Sequence, residues 1–471
     1  MAATLANLEE SSVMSFNPLV GHVLLEANPA PTLPHALLGS FEPPDDSPLL
    51  GGIQPLSINA TASAIISDQS QQHRHGDLEM NDLKLLQFYH LHTARQMTLD
   101  QRRSHVWERI IPELGSQSRY LMHLILALGG IHMIKQKADA NTSVVEGLDT
   151  MGLAIVMEHH QRGLEGFRED MSRISPSNAE FVFTGSLLLV GFGFAFLRVQ
   201  DLNVRTGATE EMNSDMANPL TNNNLRLNWL YLNRGVSSVI GEQWAVLKTS
   251  RLRQILILSH TDEAWAVSSF GGPFGGPFGG PSRLSRCSPR LSKFAEGAHQ
   301  AVISIKASLN ALGLTADATS SCSGTPTSQP SPSTSLDMAM DVHAETVGIL
   351  ETFYSRILST LQFVAAENPS DKEIQLDFEE AAILSWPALL PSAFLALLER
   401  SEHNCLHGHS LVILAHLYLI NTLVDGWYLR GSFEIEILRL IALIGSLNES
   451  QLSTFMLWPN EVMSLPLNSI S

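Results

Sequence analysis

The stretch FVFTGSLLLVGFGFAFL, Phe181 to Leu197, runs for 17 residues without a charge. As a helix it would be about 26 Å long, at the lower limit for crossing a bilayer core. Such a segment must hide apolar surface on every side, in lipid or at the centre of a large helical protein. No cluster of Lys and Arg marks a cytoplasmic flank, and the neighbouring periodic segments are amphipathic, which favours a buried core helix and no membrane span.

The segments around it keep a helical period. In LKLLQFYHLHTARQM, Leu85, Leu86, Tyr89 and Thr93 mark one face, with Asn81 or Asp82 as the candidate cap. SRYLMHLILALGGIHMIKQK repeats Leu121, Leu124, Ile125, Leu128 and Ile131, Gly129-Gly130 reads as a packing or kink site, and Lys135 and Lys137 suit a helix C-terminus. MGLAIVMEHHQRGLEGFREDM and NWLYLNRGVSSVIGEQWAVL continue the pattern, and no run alternates with period two. The expected fold is all-α: one multi-helix domain over about 83–463.

Two segments break the pattern. FGGPFGGPFGGP (Phe270 to Pro281) cannot continue a helix, because glycine pairs lose backbone entropy and proline lacks a donor. SSCSGTPTSQPSPSTS (Ser320 to Ser335) is low in complexity. Flexible insertions are expected at about 268–290 and 315–340. Residues 1–80 mix Pro, Ser and acidic residues with Arg74 as their only Lys or Arg, and read as a disordered tail. Within it Phe41, Glu42, Asp45, Asp46, Leu49 and Leu50 have the acidic and apolar composition of activation domains.

With 29 Lys and Arg against 47 Asp and Glu, the formal charge is −18, a field that repels phosphate backbones; direct nucleic-acid binding is not expected. Cys287, Cys322 and Cys405 are too few and too scattered for a disulfide framework, and the N-terminus lacks the basic and apolar pattern of a signal peptide. Catalytic candidates are thin. His403, His407 and His409 around Cys405 include an i, i+4 pair without the intervening Glu of a zinc hydrolase. His159-His160 points in two directions on a helix, and the only Asp-Asp pair, Asp45-Asp46, lies in the tail rather than on a helix. No catalytic residue, metal site or cofactor is expected, and the chain does not read as an enzyme.

Three stretches in order, LLQFYHLHTARQM with SRYLMHLILALGGIHM, LRLNWLYLNRGVSSVIGEQWAVL, and HGHSLVILAHLYLINTLVDGWYLRG closing on LWPNEVM, resemble the C-terminal regulatory domain of fungal binuclear zinc-cluster transcription factors, in the sterol-uptake-control-like branch. The resemblance implies an all-helical domain that senses a ligand and regulates transcription in the nucleus. It also implies that the FGGP repeat interrupts one domain rather than dividing two. The sequence departs from the family where DNA would be read: a binuclear cluster needs six closely spaced cysteines, and none precedes Cys287. The resemblance therefore points to a regulator without its own zinc cluster, working through other transcription factors or co-activators, on sterol or secondary-metabolite genes. The alternative is a soluble, cytoplasmic binder or sensor of an apolar small molecule. If the resemblance extends to mechanism, the helices around 181–197, 228–247 and 410–427 enclose an apolar ligand, with Phe192, Phe196, Trp229 and Trp427 as pocket wall. In a filled core the same side chains would simply pack.

Overall fold

Apolar spacing of three and four residues becomes helix throughout the residues described by the computed structural model: 80–140, 150–207, 225–256, 287–320, 332–367, 375–376, 386–400, 405–447 and 449–467. All of them fall in one unit, Gln72–Ser471, and among them there is no strand. The tail up to residue 79 and the FGGP repeat lie outside the described residues. Helices cover 315–320 and 332–340, and Cys287 and Ser288 precede the helix that starts at Pro289; the rest of both expected insertions lies outside the described residues.

Helix α1 (Met80–Phe88) passes through a π-helical turn, Tyr89–Thr93, into α2 (Ala94–Gln96). Leu85, Tyr89 and Thr93 are buried, as the spacing requires. Asp82 does not cap this helix. It accepts a 3.2 Å hydrogen bond from His159 Nε2, an imidazole on a neighbouring helix that competes with the local amides. Asp100 caps α3 (Gln101–His105) through the Arg102 amide, and a π-turn at Val106–Ile110 leads into α4 (Ile111–Gln117).

Helices α5 (Arg119–Ala140) and α6 (Thr150–Ser172) approach closely because glycine lines the contact. A Cβ on Gly163 would sit 2.5 Å from Leu124 Cδ2, and one on Gly130 2.3 Å from Val156 Cγ2. The uncharged stretch lies in α7 (Ala179–Gly207), which is surrounded by α5, α6, α8 (Asn228–Leu247) and α14 (Ser432–Ser446). It meets the length and hydropathy of a membrane span, yet nearly all of it is covered by these partners. Burial among these helices fits a stretch that carries no charge.

The second half begins with α9 (Pro289–Ser320) against α10 (Pro332–Glu367), followed by α11 (Trp386–Leu389), α12 (Ser392–Glu399) and α13 (Cys405–Asn421). Every residue of α13 from Gly408 onward is buried. After α14, α15 (Ser450–Phe455) and α16 (Leu457–Ser464) pack back on α9 and α13. Arg290 ties this half together, donating to Thr422 O at 2.9 Å, Met463 O at 2.9 Å, Leu465 O at 2.8 Å and Glu434 at 2.8 Å.

Candidate functional site

The two halves meet where α7 and α8 face α13 and α14. At the centre an aromatic cluster joins five elements. Trp229 lies 5.3 Å from Phe194, 5.6 Å from Trp386, 5.5 Å from Tyr418 and 5.0 Å from Phe433, centroid to centroid. The angles are tilted or edge-on, the arrangement that ring quadrupoles favour. Trp386 Nε1 donates to Asn421 Oδ1 at 3.0 Å. That bond fixes the amide, and Asn421 Nδ2 is buried without an acceptor among the described residues.

A seam of buried charge adjoins the cluster. Arg439 lies 3.6 Å from Asp201 and 3.7 Å from Glu436, and Arg226 approaches Glu436 at 3.5 Å. Asp201 on α7 and Glu436 and Arg439 on α14 are each over 90% buried. Burial raises the Glu436 carboxyl above its ordinary range, against the pull of Arg439 and Arg226. Burial, then the Glu436 charge, keeps the Tyr418 phenol protonated. Nothing in the hydropathy pattern pairs residue 201 with residues 436 and 439. The only sequence cue is a carboxylate and an arginine on otherwise apolar helical faces.

A second contact joins α5 to the connector before α14. His132 stacks on Trp427 with centroids 3.7 Å apart and a 17° interplanar angle, and its Nδ1 meets Thr93 Oγ1 at 3.0 Å. One turn on, Lys135 Nζ donates to Arg430 O at 2.6 Å. Lys135, expected with Lys137 to suit the C-terminal end of its helix, is buried there. Burial lowers its ammonium pKa to about 7 and, with Lys135 beside it, lowers the His132 imidazole to about 3. Gly431, with φ of +76°, makes the turn into α14 against Arg198.

The four aromatic residues expected as a pocket wall separate into groups. Phe192 and Phe196 stack 5.7 Å apart on one face of α7, where Phe192 also stacks on His160. Phe194, two residues from each, faces the other way and belongs to the Trp229 cluster. Trp427 lies against Tyr428, which stacks at 6.3 Å on Phe194. Trp386, missed in the sequence because its segment lacks a clean period, is the most deeply buried tryptophan among the described residues.

The histidines are occupied by neighbours. His159 bonds Asp82 and meets His123 at 3.0 Å, so the pair on α6 does diverge, with His160 against Phe192. His409 bonds Ser308 and the Cys405 carbonyl, and His343 bonds Ser410 and the Ala339 carbonyl. These serine and histidine pairs are buried. His403 lies outside the described residues, and among the described residues no three His, Cys, Asp or Glu side chains are grouped to hold a metal.

The helices up to α8 form one set, open where α7 meets α14 and α8 meets α11. Arg251 ends it, bonding Glu113 at 2.7 Å and Glu180 at 3.1 Å, so the segment after α8 returns to α4 and α7. This set is what the comparison with known families picks out. Residues 84–251 match the fungal specific transcription factor domain. The match runs from α1 to Arg251, and it supports a role in transcriptional regulation. Sterol uptake control protein 2 of Saccharomyces cerevisiae is 22% identical to the chain over 190 residues. That alignment covers 40% of this chain and 18% of the relative, so this chain matches less than a fifth of that protein's length.

Proposed function

We propose that this protein is a nuclear transcriptional regulator that acts through protein partners, other transcription factors or co-activators, rather than by catalysis or by reading DNA itself. The match of residues 84–251 to the fungal specific transcription factor domain carries the reading. The sequence has its first cysteine at Cys287, and its formal charge of −18 opposes binding to phosphate backbones. The name of the yeast relative makes sterol genes the first targets to examine, with secondary-metabolite genes next. The test fuses the chain to a heterologous DNA-binding domain at a reporter promoter and follows transcripts after deletion of the gene. A changed reporter and changed transcripts are expected. An inert fusion, unchanged transcripts and a nuclear pull-down without any transcription factor would refute the reading.

A second reading is favoured by Asn421: its buried Nδ2 donor, on the amide whose oxygen accepts from Trp386, is the kind of group that one oxygen of an otherwise apolar small molecule would satisfy. Phe194 and Tyr418 would then line the site, with Trp229 from the expected wall. Addition of ergosterol should raise the melting temperature, and less so in Asn421→Leu. No shift in the wild type would leave the cluster as packed core.

A further inference from the structure

The outer face of α1 and α2 carries a composition unlike the rest of the molecule. Leu83, Gln87, Leu91 and Arg95 recur at four-residue spacing, and all are exposed. The π-helical turn at Tyr89–Thr93 keeps them in line: four residues make slightly more than one α-helical turn and slightly less than one π-turn, so the two drifts offset. Leu83 is 45% exposed and Leu91 49%. Together with Met80 they are three of the nine large apolar side chains exposed among the described residues, all on this one helix.

Charge distinguishes the face further. Lys84 and Arg95 flank the leucines, exposed His90 and His92 lie between, and exposed Arg102 and Arg109 follow on the next helix. None of these four cations forms an ion pair among the described residues. Of the nearby carboxylates, Asp82 bonds His159, Asp100 caps α3 and pairs with Arg103, and half-buried Glu108 stands beside Arg109. A cationic stripe with two leucines at i and i+8 is thus displayed by a chain whose formal charge is −18.

We propose that this face docks an acidic, amphipathic helical segment of a partner protein, with leucine or phenylalanine at four-residue spacing seated between Leu83 and Leu91, and Asp or Glu meeting Lys84, Arg95 and Arg102. Charge complementarity supplies orientation and encounter rate, and the leucines supply the apolar contact. Nucleic acid is the weaker fit, because Leu83 and Leu91 occupy the space between the cations and the remainder of the chain repels phosphate. The proposal deepens the regulatory reading by naming the chemistry of a partner. Its test uses purified protein and no promoter, so it can fail while the reporter assay succeeds, and the reverse.

The probe is a fluorescein-labelled synthetic peptide of about fifteen residues, with leucine at every fourth position and Asp and Glu beside it, titrated with the full chain in fluorescence anisotropy. Binding with a Kd on the order of micromolar is expected, weakening as salt rises from about 50 to about 500 mM. The double variant Leu83→Ser/Leu91→Ser should weaken it at least tenfold. Lys84→Glu/Arg95→Glu should do the same, and should instead bind a version of the peptide with lysine at the acidic positions. These positions are exposed, so unchanged melting temperatures identify variants that remain folded. Absence of binding to the wild type, equal binding by both double variants, preference for a DNA duplex, or self-association that masks Leu91 would each overturn the proposal.

Discussion

Acidification should destabilise this protein through its buried histidines, and His416 allows the effect to be worked through. It lies on α13 at 1% exposure, its Nδ1 held 2.9 Å from the Val412 carbonyl and its ring stacked at 5.9 Å on Trp458. Burial lowers its pKa from 6.5 to about 4, opposed weakly by the Val412 carbonyl. The folded-state pKa lies below the unfolded one, so the unfolded chain takes up the proton first. Stability is therefore lost as pH falls from the unfolded value near 6.5 towards about 4, and the loss is complete below that. Between about pH 7 and about pH 5 this one group removes about 2 kcal/mol, from about 1.4 kcal/mol per unit of separation titrated. The assay is urea denaturation of the wild type and of His416→Phe, which keeps a ring against Trp458 but cannot titrate. Other histidines contribute to both proteins, so the difference between the two pH responses isolates His416. The wild type should lose about 2 kcal/mol more than the variant. Equal losses would show that water reaches the ring or that α13 opens before the imidazole is protonated, and the burial argument would fail.

Gly163→Ala should cost about 1–3 kcal/mol, read as a lowered melting temperature, because its Cβ would lie 2.5 Å from Leu124 Cδ2 and 3.2 Å from the Leu124 backbone nitrogen. A neutral result would mean that α5 and α6 can separate without loss. Arg439→Met should cost about 3–5 kcal/mol in chemical denaturation, since it leaves Asp201 and Glu436 in the seam with one cation fewer. Adding Asp201→Asn should recover part of that loss, and strict additivity of the two changes would refute coupling across the seam.

Local rules were enough for some of this. The uncharged run from Phe181 to Leu197 demanded a surrounded helix, and it is one, because no other environment in a helical protein hides apolar surface on every side. The faces of α1 and α5 followed from three- and four-residue spacing, and Gly129-Gly130 marked a close approach because only glycine leaves room for a neighbouring backbone. Local rules also misjudged two charges. Lys135 was read from its place near a helix end and Asp82 from its place near a helix start, but Lys135 is buried against Arg430 O and Asp82 is taken by His159. Such choices depend on what the opposite element presents, and periodicity records only which way a side chain points.

By itself the sequence determined the class of fold, the burial of the run from Phe181 to Leu197 and the regulatory resemblance, all of which are properties of patterns repeated along the chain. Only the tertiary structure decided that Trp229 meets Trp386, that Asp201 meets Arg439, and that Phe192 and Phe196 face away from both clusters. Those contacts join residues well over a hundred positions apart in two of the three cases, and their geometry is set by how helices stack. Apolar helices can bury the same surface in many relative orientations, so the pattern that requires burial does not say against which neighbour.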